Sequence, residues 1–141
     1  MKKYKVGYTA GVYDMFHVGH LNVIMNAKQY CEYLIVAVST DEVVWQNKHK
    51  KPIVNYEDRV RIVEAIRYVD EVVPQTDYSD KISAAVKYDI DVMFVGDDWK
   101  DTEKWNRIER ELSEIGVDVV YLPYTQSISS TMLREKLGQT I

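Results

Sequence analysis

Residues Tyr33-Leu34-Ile35-Val36-Ala37-Val38 form an unbroken run that contains no charged side chain. Such a run is typical of a strand that lies inside a parallel sheet and is buried on both faces. Because both faces of the strand must be covered, helices are expected on either side of the sheet. This stretch therefore predicts an α/β fold.

The segments around this strand alternate between strand and helix patterns. Shorter apolar runs predict strands at 5–9, 71–73, 92–95 and 117–121. Apolar residues at helical spacing predict helices at 18–30, 56–67, 80–88 and 102–115, and a last helix from about Ser129 or Ser130 to Leu137. Residues 40–55 show no period and are predicted to form a polar, basic loop.

Strand–helix alternation of this kind implies right-handed crossovers and a parallel sheet covered on both faces. We predict a single doubly wound α/β domain over residues 1–141, with a parallel sheet of about five strands. Ligands of such sheets bind beyond the carboxyl ends of the strands, where the strand order reverses. The polar and basic residues of the chain are concentrated at those predicted ends.

Composition limits the possible classes of protein. The 141 residues are 46% hydrophobic and 28% charged, as in a globular domain with its own core. Cys31 is the only cysteine, which excludes an internal disulfide and favours a reducing, cytoplasmic location. No apolar run reaches the ~20 residues needed to cross a bilayer, and no signal peptide is expected. The formal charge of −4 argues against a nucleic-acid binder but is compatible with binding one nucleotide.

Two histidines stand three residues apart, where the first predicted strand passes into the first predicted helix. His17 and His20 therefore share a face at the helix start, and Gly11 and Gly19 allow the backbone to approach a ligand closely. A helix N-terminus favours phosphate, to which two imidazoles can donate hydrogen bonds. A two-histidine metal site and ordinary surface histidines are the alternative interpretations of this spacing.

The residues around the histidines resemble a known signature. The run Gly11-Val12-Tyr13-Asp14-Met15-Phe16-His17-Val18-Gly19-His20 is similar to the G-x-F-D-x-x-H-x-G-H motif of the cytidylyltransferase-like nucleotidyltransferases, with tyrosine in place of phenylalanine. Residues 38–42, 56–59, 66–72 and 95–99 resemble the bacterial glycerol-3-phosphate cytidylyltransferases. The resemblance covers nearly the whole chain and implies a Rossmann-like domain of the HIGH-type nucleotidyltransferase fold.

This resemblance implies a reaction. A cytidylyl group would pass from CTP to a small phosphate monoester, with sn-glycerol 3-phosphate as the first candidate, giving CDP-glycerol and pyrophosphate. Products of this type supply wall-polymer, capsule or lipid head-group synthesis. The resemblance also implies Mg²⁺ bound through the triphosphate without a protein ligand, and a homodimer. No nucleic-acid or membrane partner is expected.

The resemblance and the need for cations around two phosphate-bearing substrates together assign the site. Its expected catalytic residues are His17, His20, Lys48 and Arg67. Nucleotide binding is assigned to Ala10, Gly11, Val12, Tyr13, Gly19, Asp98, Thr125, Ile128, Ser129 and Ser130. Acceptor or phosphate binding is assigned to Lys50, Lys51, Arg59 and Tyr78. Arg59 and Arg67 lie eight residues apart, so both are expected on one side of the predicted helix.

One segment departs from the family pattern. The motif R-T-E-G-I-S-T of the family corresponds here to Tyr124-Thr125-Gln126-Ser127-Ile128-Ser129-Ser130, without the arginine, the glutamate and the glycine. This departure leaves the base and the acceptor open. Adenylyl transfer from ATP, and phosphocholine, phosphoethanolamine or another phosphate ester as acceptor, stay as alternatives. Two further alternatives are a non-catalytic nucleotide-binding domain and a flavodoxin-like binding module.

Each assigned residue also has a purely structural interpretation. Residues 48–51 can form a solvated loop, and Arg67 can pair with Asp70 or Glu71 on the surface. Asp98 can cap a turn or bind a metal, and residues 129–131 can do no more than cap the last helix.

Overall fold

The computed structural model describes residues 2–123 and 130–139. These residues form five strands, β1 (Tyr4–Gly11), β2 (Cys31–Ser39), β3 (Glu71–Gln75), β4 (Val92–Gly96) and β5 (Asp118–Leu122). All neighbouring strands are parallel, in the order β3-β2-β1-β4-β5. The predicted doubly wound α/β domain is therefore confirmed, and the strand order reverses between β1 and β4.

Helices join the strands on both faces of the sheet. In chain order they are α1 (Val18–Tyr30), α2 (Asp41–Lys48), α3 (Tyr56–Glu64), α4 (Lys81–Tyr88), α5 (Glu103–Glu114) and α6 (Ser130–Gln139). A single 3₁₀ turn at Asp97–Trp99 follows β4. In the described part of the chain, no helix is long and apolar enough to cross a membrane.

The two faces of β2 build two separate buried layers. Leu34 and Val36 lie in a cluster with side chains of α1 and α3, such as Ile24. Ile35 points the other way, into a cluster with side chains of α4 and α5, such as Leu112. The unbroken apolar run of β2 is thus explained by burial on both faces, as in other parallel sheets.

Helix α2 was not predicted, because residues 40–55 show no apolar period. The helix is only eight residues long and buries just Val43 and Val44, too few contacts to produce a recognisable pattern. Its beginning is nevertheless fixed locally, since the Thr40 side chain accepts a hydrogen bond from the backbone N–H of Val43. Only the remainder of the predicted basic loop, from His49 to Asn55, is non-helical.

Two element boundaries also differ from the prediction. Helix α3 ends at Glu64, three residues before Arg67, as the backbone N–H groups of Ala65 and Ile66 bond three residues back, to Ile62 and Val63. Strand β3 continues through Pro74 to Gln75. A proline is tolerated there because β3 is an edge strand and its missing N–H is not needed for pairing.

Candidate active site

Two adjoining cavities open at the carboxyl ends of the strands. The first, of about 400 Å³, lies over the ends of β1 and β4, where the strand order reverses. The second, of about 340 Å³, shares a wall with the first and extends towards α4 and α5. This is the location that a doubly wound sheet favours for ligands.

The first cavity brings together nine of the predicted site residues. They are Ala10, Gly11, Val12, Tyr13, His20, Lys48, Lys50, Asp98 and Ser130. The second cavity shares Ala10, Gly11, Val12 and Lys48 with the first and adds Tyr78. Thr125, Ile128 and Ser129 lie outside the described residues.

The two histidines form a reciprocal cap at the start of α1. The Nδ1 atom of His17 accepts a hydrogen bond from the backbone N–H of Gly19, at 3.0 Å. The Nδ1 atom of His20 accepts one from the backbone N–H of His17, at 3.3 Å, and the two rings stack with their centroids 3.9 Å apart. His17 is not part of either cavity wall, but this stacking places it directly beside His20, which is.

This cap decides which nitrogen of each ring carries the proton. An Nδ1 atom that accepts a hydrogen bond carries no hydrogen, so the neutral imidazole is protonated at Nε2. Among the described residues, the buried Nε2 atom of His17 has no hydrogen-bond partner. Both rings are therefore hydrogen-bond donors through Nε2, and a donor is what the oxygens of a phosphate group can accept from.

Burial keeps both rings neutral. Burial lowers the pKa of His17 below its ordinary value. For His20, burial and then the neighbouring His17 lower the pKa to about 4, against a smaller opposing effect of Asp14. At neutral pH the pair therefore consists of two neutral N–H donors rather than two cations.

Asp14 ties three segments of the first cavity together, a role that the sequence analysis missed. Its buried carboxylate accepts hydrogen bonds from the backbone N–H groups of Ile53 and Val54, each at 2.9 Å. The same carboxylate pairs with Arg134 of α6 at 2.7 Å, and its backbone carbonyl accepts from the Ser130 hydroxyl. Burial raises the pKa of Asp14, but the Val54, Ile53 and Arg134 donors outweigh burial and hold that pKa below its usual value.

The backbone around Asp14 is strained. Tyr13 and Met15, the residues on either side, have φ angles of 56° and 49°, in the left-handed region that non-glycine residues rarely adopt. The contacts of Asp14 hold this conformation, as strained backbone persists only where its surroundings determine it. Gly11 suits the same turn, because a Cβ there would lie 3.0 Å from the Tyr13 ring, which would then have to shift.

Lysines supply the positive charge of the shared wall. Lys48 ends α2 and borders both cavities, while Lys50 borders the first alone. Burial, and then the charge on Lys50, lower the pKa of Lys48. Lys51 is exposed and borders neither cavity; only its backbone carbonyl takes part, accepting from Arg134 at 3.4 Å.

Arg59 is not a phosphate ligand, which corrects the prediction. Its side chain is fully buried, and its guanidinium donates to the carbonyls of Val12, Ser39 and Val54 and pairs with Asp41 at 2.6 Å. Because these partners occupy four of its five donors and its side chain is buried, Arg59 fixes the ends of β1 and β2 instead of binding a ligand. A sequence pattern does not reveal this, as a buried arginine and a ligand arginine look alike.

The structure also places Arg67 away from both cavities. It lies between the end of α3 and the start of β3, at the amino edge of the sheet, opposite the carboxyl ends that form the site. Its side chain is exposed, and its Nη2 atom donates a hydrogen bond to the Tyr68 hydroxyl at 3.0 Å. The expectation that Arg59 and Arg67 point to one side is wrong, since α3 ends before Arg67 and Arg59 is buried.

The second cavity contains lysines that the sequence analysis did not assign. Lys81 and Lys104 border it, beside the assigned residues Lys48 and Tyr78. The buried Tyr78 hydroxyl has no partner among the described residues. Burial, followed by the charge on Lys104, lowers the pKa of Lys81 to about 8. Lys81 is the first residue of α4, so its position is evident only once that helix is placed against the sheet.

Asp98 also borders the first cavity. It lies in the 3₁₀ turn after β4, and its exposed carboxylate borders the cavity. A Cβ at Gly96 would lie 2.6 Å from Oδ1 of Asp98, so glycine leaves room for this carboxylate. Within the described ranges, no group of three or more His, Cys, Asp or Glu side chains has the arrangement of a metal site.

A switch-point cavity with paired imidazole donors at a helix N-terminus is the arrangement of a nucleotide-binding α/β enzyme. The model of a protein family described as cytidylyltransferase-like matches residues 8–136. The chain belongs to this family of nucleotidyltransferases, as its sequence motif predicts.

Individual relatives agree with this assignment. The glycerol-3-phosphate cytidylyltransferase of Bacillus subtilis is 41% identical over 130 residues, which cover 92% of this chain and 95% of the relative. The FAD synthase of Thermococcus kodakarensis is 37% identical over 81% of this chain and 76% of the relative. A lipopolysaccharide core biosynthesis protein of Thermoplasma volcanium has the same fold, with a TM-score of 0.72 over 89% of this chain and 99% of that chain, at 21% identity.

Proposed function

We propose that this protein transfers the cytidylyl group of CTP to sn-glycerol 3-phosphate, forming CDP-glycerol and pyrophosphate. The relative from Bacillus subtilis, which matches almost from end to end, carries the name of this activity. The observation in the structure that carries the choice of acceptor is the charge of the second cavity, which adjoins the histidine pair.

The second cavity is suited to an anion. Among the described residues, three lysines border it, Lys48, Lys81 and Lys104, and no carboxylate does. The hydroxyl of Tyr78, which has no partner in the described part of the chain, is a further donor. A phosphate monoester bound there would supply the negative charge and the acceptor oxygens that these groups lack.

The same cavity disfavours an acceptor with a cationic head group. Its tryptophan rings are the groups that could bind an ammonium, but lysines already cover them. The Lys81 ammonium lies 5.8 Å from the ring centroid of Trp105, and that of Lys104 lies 5.6 Å from the ring centroid of Trp99. An uncharged polyol phosphate therefore fits better than phosphocholine or phosphoethanolamine.

The first cavity would hold the nucleotide, with its phosphates at the start of α1. His17 and His20 donate through Nε2 to the phosphate oxygens, and Lys48 and Lys50 neutralise charge. Asp98, which borders the same cavity, would accept a hydrogen bond from the exocyclic amine of cytosine, the donor that distinguishes cytosine from uracil. Such fixed donors act without reorganisation during the reaction, which is the main source of electrostatic catalysis.

The reaction needs no general base. The second pKa of a phosphate monoester lies near 6, so its oxygen is already anionic at neutral pH. That oxygen forms a bond to the α-phosphorus of CTP, while the bond from the α-phosphorus to the oxygen bridging to the β-phosphate breaks. The electron pair leaves with pyrophosphate. Lys48 borders both cavities, so it is placed between the incoming phosphate and the nucleotide.

We propose that Mg²⁺ accompanies CTP through the triphosphate oxygens. Mg²⁺ usually retains waters and binds substrate phosphates with few protein ligands. The Asp14 carboxylate is already occupied by Ile53, Val54 and Arg134, which fits an ion held mainly by the nucleotide. When bound, Mg²⁺ would neutralise part of the triphosphate charge. Activity is expected to fall on addition of EDTA and to return with excess Mg²⁺.

Pyrophosphate release tests the proposed function. Each of the four nucleoside triphosphates is combined with glycerol 3-phosphate, phosphocholine or phosphoethanolamine in the presence of Mg²⁺. Release with CTP and glycerol 3-phosphate, and formation of CDP-glycerol by mass spectrometry, are expected. Release only with phosphocholine or phosphoethanolamine would contradict the argument from the lysines. Release only with ATP would contradict cytosine as the base. The reaction with ATP is included because one relative is named FAD synthase.

We also propose a homodimer and a cytoplasmic location. The family resemblance supports the dimer, and the single cysteine, Cys31, which is free and buried, suits a reducing compartment. Light scattering of the purified protein is expected to give twice the mass of the 16.5 kDa chain. A monomer mass over the micromolar range would contradict the dimer.

A further inference from the structure

Two uncharged polar side chains lie buried in the wall of the second cavity, and the sequence motifs assign them no role. Ser39 ends β2 and Gln75 ends β3, and the two residues are paired directly across the sheet. Both border the second cavity, although only 0% and 6% of their surfaces are exposed. The carboxyl ends of parallel strands are where such a sheet binds its ligands, so this pair lies where a ligand is expected.

Ser39 fixes the orientation of the Gln75 amide. The Ser39 hydroxyl donates to Oε1 of Gln75 at 2.8 Å, which is the usual length of an O–H···O hydrogen bond. The same hydroxyl lies 3.2 Å from the carbonyl oxygen of Gly11, which holds the pair against β1. Because Oε1 is bonded to Ser39, the amide nitrogen of Gln75 points away from Ser39.

The amide nitrogen of Gln75 is a donor without an acceptor. A glutamine amide can donate two hydrogen bonds through Nε2. Among the described residues this atom has no hydrogen-bond partner, and it is not sealed from solvent. It therefore opens into the second cavity, where a ligand can accept from it. This donor carries no charge, unlike the ammonium groups of Lys81 and Lys104 in the same wall.

The two kinds of donor match two parts of one ligand. The ammonium groups suit the phosphate of a monoester, whereas a neutral amide suits a hydroxyl, which accepts a hydrogen bond without carrying charge. An ammonium head group offers no lone pair to Nε2 and would leave this donor unpaired. A site built to hydrogen-bond its substrate rejects analogues in this way, because its own polar groups are left without partners.

We propose that Gln75, oriented by Ser39, donates a hydrogen bond to a hydroxyl of the acceptor and so selects a hydroxylated phosphate monoester. The inference rests on the proposed function in so far as a phosphate monoester binds in the second cavity. Gln75 contacts the part of the acceptor that does not react, so it is a specificity residue. Ser39 acts through Gln75 and is a positioning residue.

Steady-state kinetics with glycerol 3-phosphate and with propyl phosphate test this role. Propyl phosphate has the same carbon chain and phosphate but lacks both hydroxyls. In Gln75→Met, the kcat/KM for glycerol 3-phosphate is expected to fall roughly 10-fold, as for loss of one hydrogen bond. The affinity for propyl phosphate, as an acceptor or as an inhibitor, should change less than about twofold, since no hydrogen bond is lost. Gln46→Met, at an exposed glutamine of α2 outside both cavities, is the control and should change neither value.

The comparison of the two esters separates contact with the hydroxyl from a structural role. Equal losses with both esters, or no loss with either, would overturn the proposal. Should Gln75→Met fail to fold, Gln75→Glu keeps the shape of the side chain and replaces the donor with a carboxylate. In that variant the activity with phosphoethanolamine relative to glycerol 3-phosphate is expected to rise, and an unchanged ratio would also overturn the proposal.

The proposed function fails separately, in the wild type. If CTP and glycerol 3-phosphate give no CDP-glycerol, the choice of reaction is wrong whatever the variants do. The two esters are then compared by their binding to the wild type and to Gln75→Met, and the same difference between them is expected.

Discussion

The two cavities that meet at the end of β1 are held in different ways. In the first, the histidine pair and Asp14 are fixed by backbone groups: His17 and His20 cap α1, and Asp14 binds the N–H groups of Ile53 and Val54. In the second, Lys81 and Lys104 rest on tryptophan rings, and the Tyr78 hydroxyl has no partner among the described residues.

This difference suggests a division of labour. Side chains fixed by the backbone are preorganised, which is what stabilisation of a transition state requires. The long side chains of the second cavity gain their hydrogen-bond partners only when an anion binds. Such side chains can be substituted without disturbing the fold. We therefore expect the nucleotide chemistry to depend on the first cavity, and the choice of acceptor to depend on the second.

The largest effect is expected at the buried support of the first cavity. Arg59→Met would leave the carbonyls of Val12, Ser39 and Val54 without their donor, and each buried polar group left without a partner costs about 1–3 kcal/mol. The free energy of unfolding in urea measures this. Arg61→Met, at an exposed position of the same helix, is the control. Similar stabilities of the two variants would contradict the structural role of Arg59.

The histidine pair should have the largest effect on turnover. His17→Ala or His20→Ala is expected to lower kcat by ~100-fold or more, as for the loss of a donor to developing charge. Circular dichroism should show an intact fold. His49→Asn, at the third histidine, which borders neither cavity and has a φ of 52°, should leave kcat unchanged. Near-normal turnover of the alanine variants would remove the catalytic role of the pair.

Substitutions in the second cavity should change the affinity for the acceptor substrate instead of the turnover number. Lys81→Gln removes an ammonium from the acceptor site, so the KM for glycerol 3-phosphate is expected to rise roughly 10-fold or more. The KM for CTP should stay within about twofold. Lys87→Gln, at an exposed lysine of the same helix, is the control. An equal rise in both KM values would mean that the two cavities do not divide the substrates in this way.

Asp98 tests whether the first cavity also reads the base. Asp98→Ala is expected to reduce the preference for CTP over UTP by roughly 2- to 10-fold, as for one hydrogen bond. Binding of the triphosphate itself should change less. Competition among the four nucleotides measures both effects, and an unchanged order of preference would exclude Asp98 as a base reader.

The smallest effect concerns pH. Because burial and Lys104 lower the pKa of Lys81 to about 8, Lys81 is charged below that pH and loses its charge above it. The KM for the acceptor is therefore expected to rise as the pH increases through about 8. Lys104→Gln removes a repelling charge and should move this rise to higher pH. A pH profile that is unchanged by this substitution would show that the two ammonium groups do not interact.

The sequence allowed much of the fold and part of the site to be predicted. The apolar run of β2 and the spacing of His17 and His20 are local features, and they predict a strand buried on both faces and a histidine pair at the start of a helix. Helix α2 was missed because only Val43 and Val44 mark its buried side. The role of Asp14 is not evident from the motif, since its partners lie far along the chain.

The sequence by itself determined the alternation of strands and helices, the parallel sheet and the histidine pair, because periodicity and capping act over a few residues. Only the tertiary structure decided which cations face the ligand. Arg59 is enclosed by the ends of β1 and β2, Arg67 lies at the opposite edge of the sheet, and Lys81 borders the second cavity. A charged residue looks the same in the sequence whether its side chain contacts a carbonyl, water or a phosphate. The packing of distant segments decides which of these partners it has.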